Sequence, residues 1–198
     1  MTFLLGLTGS IGMGKSTTAQ MFRDEGIPVW DADATVHELY QADGAGAKAL
    51  ADMLPEAIEN GAVSRPALKK MIAADLSVLA VLESIIHPLV AADRAKFIEN
   101  HPDDPLAVFD IPLLFETSAD AWLDAIAVVT TDEETQKQRV LARDGMTEAQ
   151  FETIQSRQMP DAEKRARADY LIPTDTMDGA RAAVRDAIAK IKQGKADA

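Results

Sequence analysis

The sequence contains no cysteine in 198 residues. Disulfide bonds, thiolate nucleophiles and zinc–thiolate sites are therefore excluded. Long apolar runs are also missing: the first run, residues 3–7, has five residues, and no segment approaches the roughly 20 apolar residues that span a bilayer. We expect a cytoplasmic protein with no membrane partner.

Basic residues are scarce relative to acidic ones. The 20 Lys and Arg face 32 Asp and Glu, which gives a formal charge of −12. Such a surface repels a polyphosphate backbone, so we expect no nucleic-acid partner. An anionic substrate would have to be met by a local cluster of Lys and Arg. Apolar residues make up 47% of the chain, which is enough for one domain with a hydrophobic core.

Short apolar runs alternate with helical patterns, which predicts an α/β domain with a parallel sheet. The runs are residues 3–7, 27–30, 106–109, 125–129 and 170–172. Residues 44–100 carry apolar side chains at helical spacing, which is more helix than one crossover uses. They predict a helical subdomain beside the sheet.

A second helical region extends from Thr131 to about residue 167 and breaks near Gly145. Thr131 and Glu134 predict a capping box at its start. The last helix has one apolar face, which predicts packing against the core. That face contains Ala180, Val184, Ala187, Ile188 and Ile191.

Residues 9–16, Gly-Ser-Ile-Gly-Met-Gly-Lys-Ser, match the P-loop pattern and lie between a predicted strand and a predicted helix. Backbone N–H groups would surround phosphate oxygens at the positive end of the helix dipole. Lys15 would reach the β- and γ-phosphates, and the Ser16 hydroxyl would ligate Mg²⁺. The predicted ATP contacts are Gly9, Gly12, Met13, Gly14, Lys15, Ser16 and Thr17. A glycine-rich turn that binds nothing is the alternative.

Other sequence features narrow the class of P-loop protein. A GTPase would show Asn-Lys-x-Asp, but the only asparagines are Asn60 and Asn100, and neither precedes Lys. Asp110 is followed three residues later by Leu113 and not by the glycine of Asp-x-x-Gly. A small kinase fits the length of the chain.

Three carboxylates follow predicted strands. Asp31 and Asp33 come after the second run, where ligands of open α/β sheets collect. One could accept a proton from an attacking hydroxyl or help to hold Mg²⁺; the alternative is a helix cap. Asp110, which ends the third run, is a further metal candidate or a turn residue.

Arg139 and Arg143 are four residues apart and so share a helix face. With the basic residues that follow, they suggest a lid that closes over phosphates; a solvated charged face is the alternative. Those following residues are Arg157, Lys164, Arg165 and Arg167. Among the scattered histidines, His87 precedes Pro88, which predicts a helix break and a histidine in the core or in a turn.

Together these motifs resemble the dephospho-CoA kinase family over nearly the whole chain. The segments that carry the resemblance occur in the family's order: residues 6–17, 31–33, 82–88 with His87-Pro88, 110–116 with Pro-Leu-Leu-x-Glu, Gln136 with Arg139 and Arg143, Gln158, and 167–169. Two departures stand out. Ser10 replaces a usual glycine, and Pro173-Thr174-Asp175 stands where an Asn and a Gly are common.

The resemblance implies a three-layer P-loop NTPase fold, with a five-stranded parallel sheet flanked by helices, a helical lid and a helical acceptor-binding subdomain. The core would comprise about 1–40, 104–131 and 168–198, the acceptor-binding region about 41–103, and the lid about 132–167. The oligomeric state is not predicted, although a monomer is compatible with the sequence.

The implied reaction transfers the γ-phosphoryl group of ATP to the ribose 3′-hydroxyl of dephospho-CoA. By resemblance, the catalytic residues are Lys15, Asp33 as base and Arg139. Arg143 would contact ATP, Asp33 and His87 the acceptor, and Ser16 and Asp31 the Mg²⁺ ion. Two rivals stay open: a kinase for another small acceptor, and a non-catalytic ATP sensor.

Overall fold

The computed structural model describes residues 1–196, in which two units form separate cores. The first unit contains Met1–Trp30 and the chain from His101 onward, and the second contains Asp31–Asn100. Within residues 1–196, no helix is both long and apolar enough to cross a membrane.

A five-stranded sheet forms the centre of the first unit. Its strands are β1 (Phe3–Thr8), β2 (Val29–Asp31), β5 (Leu106–Asp110), β6 (Ala125–Thr130) and β7 (Tyr170–Pro173), in the order β2-β5-β1-β6-β7. Strand β1 pairs in parallel with β5 and β6, and β6 pairs in parallel with β7. Every residue of β5 is buried, as expected for a strand covered by helices on both faces. The predicted α/β fold and sheet are confirmed.

The helices of this unit follow the strands. They are α1 (Lys15–Asp24), α6 (Glu133–Leu141), α7 (Glu148–Gln155), α8 (Asp161–Ala166) and α9 (Met177–Ala196). The predicted apolar face of α9 is buried against the core formed by β1, β5, β6 and α1. Phe22 of α1 is fully buried in the same core. This packing fixes the start of α1 at the end of β1, where the P-loop lies.

The predicted capping box at Thr131 is wrong. Asp132 is the N-cap of α6, and its carboxylate accepts a hydrogen bond of 2.8 Å from Thr135 N. The Thr131 hydroxyl is used elsewhere, because it donates to Asp175 Oδ1 over 2.8 Å. A capping box does occur one helix later, between Thr147 and Gln150 at the start of α7.

The second unit is mostly helical, as the spacing of residues 44–100 predicts. Its elements are α2 (Ala32–Tyr40), α3 (Ala45–Met53), the hairpin strands β3 (Ile58–Glu59) and β4 (Ala62–Val63), α4 (Arg65–Ala74) and α5 (Ser77–Glu99). Its core contains Leu50, Val63, Leu68 and Ile86. The hairpin was not predicted, since its strands have only two residues each.

The predicted helix break at His87-Pro88 is also wrong. Helix α5 is continuous over 23 residues and contains Pro88. A proline removes one backbone donor, whose partner would be the Ser84 carbonyl. Ser84, His87 and Pro88 are all exposed, so water can satisfy that carbonyl and the helix continues. The expectation of a core or turn histidine fails for the same reason, because His87 lies on an exposed helix face.

Candidate active site

The P-loop connects β1 to α1, and its shape depends on two glycines with left-handed backbone. Gly12 has φ 80° and Gly14 has φ 89°. A Cβ atom added at Gly12 would lie 2.5 Å from Val140 Cγ2, so a side chain is excluded there by both strain and space. The loop can therefore turn tightly enough for its backbone to face a ligand.

The first turn of α1 has no internal cap. Gly14 is the N-cap residue, no side chain accepts from the first-turn N–H groups, and the turn contains no acidic residue. Such N–H groups and the helix dipole favour an anion. Ser16 and Thr17 are exposed in this turn. The arrangement fits a phosphate group with a hydroxyl beside it.

Lys15 and Asp110 form an ion pair at the ends of neighbouring elements. Lys15 Nζ lies 2.5 Å from Asp110 Oδ1, and the two side chains are only 16% and 3% exposed. The sequence suggested a metal or turn role for Asp110. The structure adds a third role, because the carboxylate holds the P-loop cation.

Arg139 is held by the loop that follows β7. Its NH1 donates to Thr174 Oγ1 over 3.1 Å, and its NH2 donates to the Thr174 carbonyl over 2.7 Å. The Thr174 hydroxyl in turn donates to the carbonyl of Met13 over 2.8 Å. Where the sequence departs from the family's usual Asn and Gly, a buried threonine therefore ties the arginine to the P-loop.

A cavity of about 250 Å³ opens beside these residues. The structure brings together here four residues predicted to contact ATP and one predicted to be catalytic, with apolar and threonine side chains at the margin. The predicted contacts are Gly12, Gly14, Thr17 and Arg143, and the predicted catalytic residue is Arg139; the neighbours include Met21, Thr174 and Met177. The cavity therefore continues from the uncapped start of α1 to the loop after β7.

Three predicted site residues lie in the second unit. Asp31 is the N-cap of α2, and its Oδ1 accepts from Ala34 N over 2.9 Å. The alternative of a helix cap is thus confirmed for Asp31. Asp33 is exposed in the first turn of α2, and His87 is exposed in the middle of α5. No group of three or more His, Asp or Glu within residues 1–196 could hold a metal ion by itself.

Lys164 does not belong to an exposed basic cluster. Its side chain is 0% exposed, and Nζ lies 2.9 Å from Glu116 Oε1. The same carboxylate oxygen accepts from Met159 N over 2.7 Å. Burial acts to raise the pKa of Glu116, but the bonds from Lys164 and Met159 and the lysine charge outweigh it and lower the pKa below its ordinary value. Sequence reasoning noted Glu116 in the Pro-Leu-Leu-x-Glu motif and Lys164 among the basic residues but missed the pair, because the two are far apart in the chain.

A parallel sheet in this strand order, with a P-loop between β1 and α1 and arginines at its rim, defines the class of protein as a P-loop kinase. The family model for dephospho-CoA kinase matches residues 3–178. The chain belongs to the dephospho-CoA kinase family, as the sequence motifs indicate.

Relatives agree over the full length of the chain. The dephospho-CoA kinase of Ruegeria pomeroyi is 57% identical over 194 residues, which cover 98% of each chain. That of Jannaschia sp. is 56% identical over 194 residues, which cover 98% of this chain and 100% of the relative.

Solved structures show the same fold. A protein from Thermus thermophilus superposes with a TM-score of 0.84 at 31% identity, covering 96% of this chain and 97% of that one. Dephospho-CoA kinase from Campylobacter jejuni superposes with a TM-score of 0.64 at 21% identity, again covering 96% and 97%.

Proposed function

We propose that the chain transfers the γ-phosphoryl group of ATP to the ribose 3′-hydroxyl of dephospho-CoA, giving coenzyme A and ADP. The family supplies the reaction. The observation in this chain that carries it is the uncapped start of α1, with Lys15 at its first position and no acidic residue in its first turn. The unsatisfied N–H groups of the first turn, which carry the positive end of the helix dipole, favour an anion there.

The phosphates of ATP would lie against the P-loop backbone from Gly9 to Thr17, with Lys15 on the β- and γ-phosphates. The cavity of about 250 Å³ supports a place for the rest of the nucleotide. Thr174 and Met177 would contact the base, and Arg143 the phosphate chain. Where the family usually has an Asn and a Gly, this chain has a threonine whose hydroxyl donates to the Met13 carbonyl.

Mg²⁺ would be coordinated at this site mainly by the nucleotide, with few protein ligands. Ser16 is exposed beside the phosphate position and offers one hydroxyl; phosphate oxygens and water would supply the other ligands, as is usual for this ion. Asp31 uses Oδ1 for its cap, so we propose for it only a water-mediated contact. When bound, the ion would neutralise charge on the phosphates.

The roles of three further residues rest on the family resemblance. We propose Asp33 as the base that takes the proton of the 3′-hydroxyl, and His87 as an acceptor contact. Arg139 would stabilise charge on the transferring group. The region of about 41–103, most of which belongs to the second unit, would bind the acceptor, and the region of about 132–167 would act as the lid.

Two expectations from composition stay predictions. These are a cytoplasmic location and the absence of a nucleic-acid partner. A filter-binding assay with duplex DNA and RNA tests the second. Size-exclusion chromatography with light scattering would measure the oligomeric state, which the sequence does not predict.

The proposed reaction is tested by measuring ADP release from the purified protein with ATP, Mg²⁺ and a panel of acceptors. Dephospho-CoA should give the fastest turnover, and mass spectrometry with NMR should identify 3′-phosphorylated product. Shikimate and nucleoside monophosphates serve as control acceptors for the rival kinase activity. Nucleotide binding without acceptor-dependent turnover would favour the ATP sensor and overturn the proposal.

A further inference from the structure

Two glutamines bind the two backbone polar groups of one P-loop residue, Ile11. The Ile11 N–H donates to Gln158 Oε1 over 3.0 Å, and Gln136 Nε2 donates to the Ile11 carbonyl over 2.8 Å. Gln136 lies on α6, and Gln158 lies in the connection between α7 and α8. The two contacts join Ile11 to residues more than a hundred positions away in the chain.

The chemistry of the backbone fixes which end of each amide makes the contact. A backbone N–H can only donate, so Gln158 must present its oxygen. A carbonyl can only accept, so Gln136 must present its NH₂ group. The ordinary ambiguity between the oxygen and nitrogen of a glutamine side chain does not arise at Ile11.

Both glutamines are themselves held in place. Gln136 is 2% exposed. Its backbone carbonyl oxygen and its Cγ lie 3.0 and 3.3 Å from the position that a Gly12 Cβ would occupy. The residue after Gln158, Met159, donates its N–H to Glu116, which also pairs with the buried Lys164. The N–H and the carbonyl of Ile11 are therefore attached to separate, ordered parts of the first unit.

A P-loop binds phosphate through backbone N–H groups, so its affinity depends on how much of the loop must still be ordered when the ligand arrives. Glycines at positions 9, 12 and 14 increase the freedom of the loop and hence the entropy lost on ordering. Contacts that order it in advance reduce this loss and strengthen binding. We propose that Gln136 and Gln158 are positioning residues, which hold the P-loop in its phosphate-binding conformation through the two hydrogen bonds to Ile11.

The two bonds allow a matched pair of substitutions. Q136E and Q158E each place one carboxyl group beside Ile11. Q158E keeps an oxygen that can accept from Ile11 N, whereas Q136E replaces the donor with an acceptor that faces the Ile11 carbonyl. Both variants bring a carboxyl group near the nucleotide, and they differ in hydrogen bonding and in burial, since Gln136 is 2% exposed and Gln158 is only half-buried.

We expect Q136E to weaken ADP and ATP binding about 10-fold or more relative to Q158E, as follows from losing a buried hydrogen bond and opposing two acceptors. The measurement is isothermal titration calorimetry with ATP, ADP and adenosine. Adenosine, which has no phosphate, should bind both variants and the wild type equally. A positioning role in catalysis should also appear as a higher KM for ATP with a smaller change in kcat at saturation.

Two results would overturn the proposal. Equal weakening in Q136E and Q158E would assign the effect to charge alone, and an equal loss for adenosine and ADP would make the glutamines general structural residues. If Q136E does not fold, Q136M and Q158M provide the second test, since each removes one bond with little change in volume. Wild-type ADP affinity in both methionine variants would then reject the positioning role.

Discussion

The ammonium group of Lys15 is paired, over 2.5 Å, with Asp110 at the end of the neighbouring strand β5. The carboxylate is almost fully buried and the lysine largely so. A buried carboxylate depends on the cations and donors around it. Lys15, which is expected to hold the phosphates, therefore also stabilises the carboxyl end of strand β5.

We expect Lys15→Ala to lose most phosphoryl transfer, because the β- and γ-phosphates lose their cation. The variant should remain folded, but its free energy of unfolding should fall by about 2 kcal/mol or more, because a cation is removed from beside buried Asp110. Urea unfolding and a kinase assay measure the two effects.

The double variant Lys15→Ala with Asp110→Asn separates them. It should recover stability, since the buried carboxylate charge is removed together with the lysine charge, while transfer stays low. Wild-type turnover in Lys15→Ala would show that residues 9–16 do not act as a P-loop. A double variant no more stable than Lys15→Ala would show that the ion pair contributes little to folding.

For Arg139→Ala we expect kcat to fall more than ATP affinity, because charge on the transferring group is greatest in the transition state. Arginines in comparable roles contribute roughly 10³ to 10⁵ in rate. Thr174→Val is the comparison variant: it removes the hydroxyl that accepts from Arg139 NH1 and donates to the Met13 carbonyl, and it leaves the carbonyl that accepts from NH2. Its loss in kcat should be smaller. An Arg139→Ala variant with full kcat and a changed KM for ATP would be a binding variant only.

Glu116 should make stability depend on pH in the acid range. Its pKa in the folded protein lies below the ordinary value of 4.5, so its contribution is complete above that value and is lost as pH falls through the folded pKa. Glu116→Gln should reduce the free energy of unfolding at pH 7 by on the order of 2 kcal/mol. The difference from wild type should shrink as the pH falls below about 4.5. Urea unfolding at several pH values tests this.

The control for Glu116 is Glu163→Gln, which changes an exposed glutamate next to Lys164. Its stability should follow that of the wild type at every pH. A Glu116→Gln difference that stayed constant down to pH 3 would show that the Glu116–Lys164 pair does not titrate with folding.

Local patterns predicted much of this fold because burial acts on whole elements. Strand β5 is apolar because both its faces are covered, and the face of α9 repeats at helical spacing because one side packs on the core. The P-loop could also be predicted from the sequence, because its glycines and Lys15 lie close together in the chain.

Features set by distant partners could not be predicted in this way. Thr131 resembles a capping residue, but Asp175 takes its hydroxyl. Pro88 usually ends a helix, but its exposed position in α5 lets the helix continue. The contacts of Gln136 and Gln158 with Ile11 depend on residues far apart in the chain, and no spacing in the sequence indicates them.

Asp31 and Asp33 are separated by one residue in the sequence, and the structure distinguishes their roles. Asp31 is the N-cap of α2 through Oδ1, while Asp33 is exposed in the first turn. Asn is as good an N-cap as Asp. Asp31→Asn should therefore keep the helix and change activity little, unless the charge of Asp31 is needed near Mg²⁺.

Asp33→Asn keeps the shape of the side chain and removes the base. A ribose hydroxyl is a poor nucleophile at neutral pH, and a positioned general base typically contributes roughly 10² to 10⁴ in rate. We expect kcat for dephospho-CoA to fall by about that factor, with little change in ATP affinity because Ser16 and water would hold the ion. Steady-state kinetics and ATP titrations on both variants measure this. A larger loss for Asp31→Asn would exchange the two roles, and weaker ATP·Mg²⁺ binding by Asp33→Asn at unchanged kcat would make Asp33 a metal-site residue and leave the base to be found elsewhere.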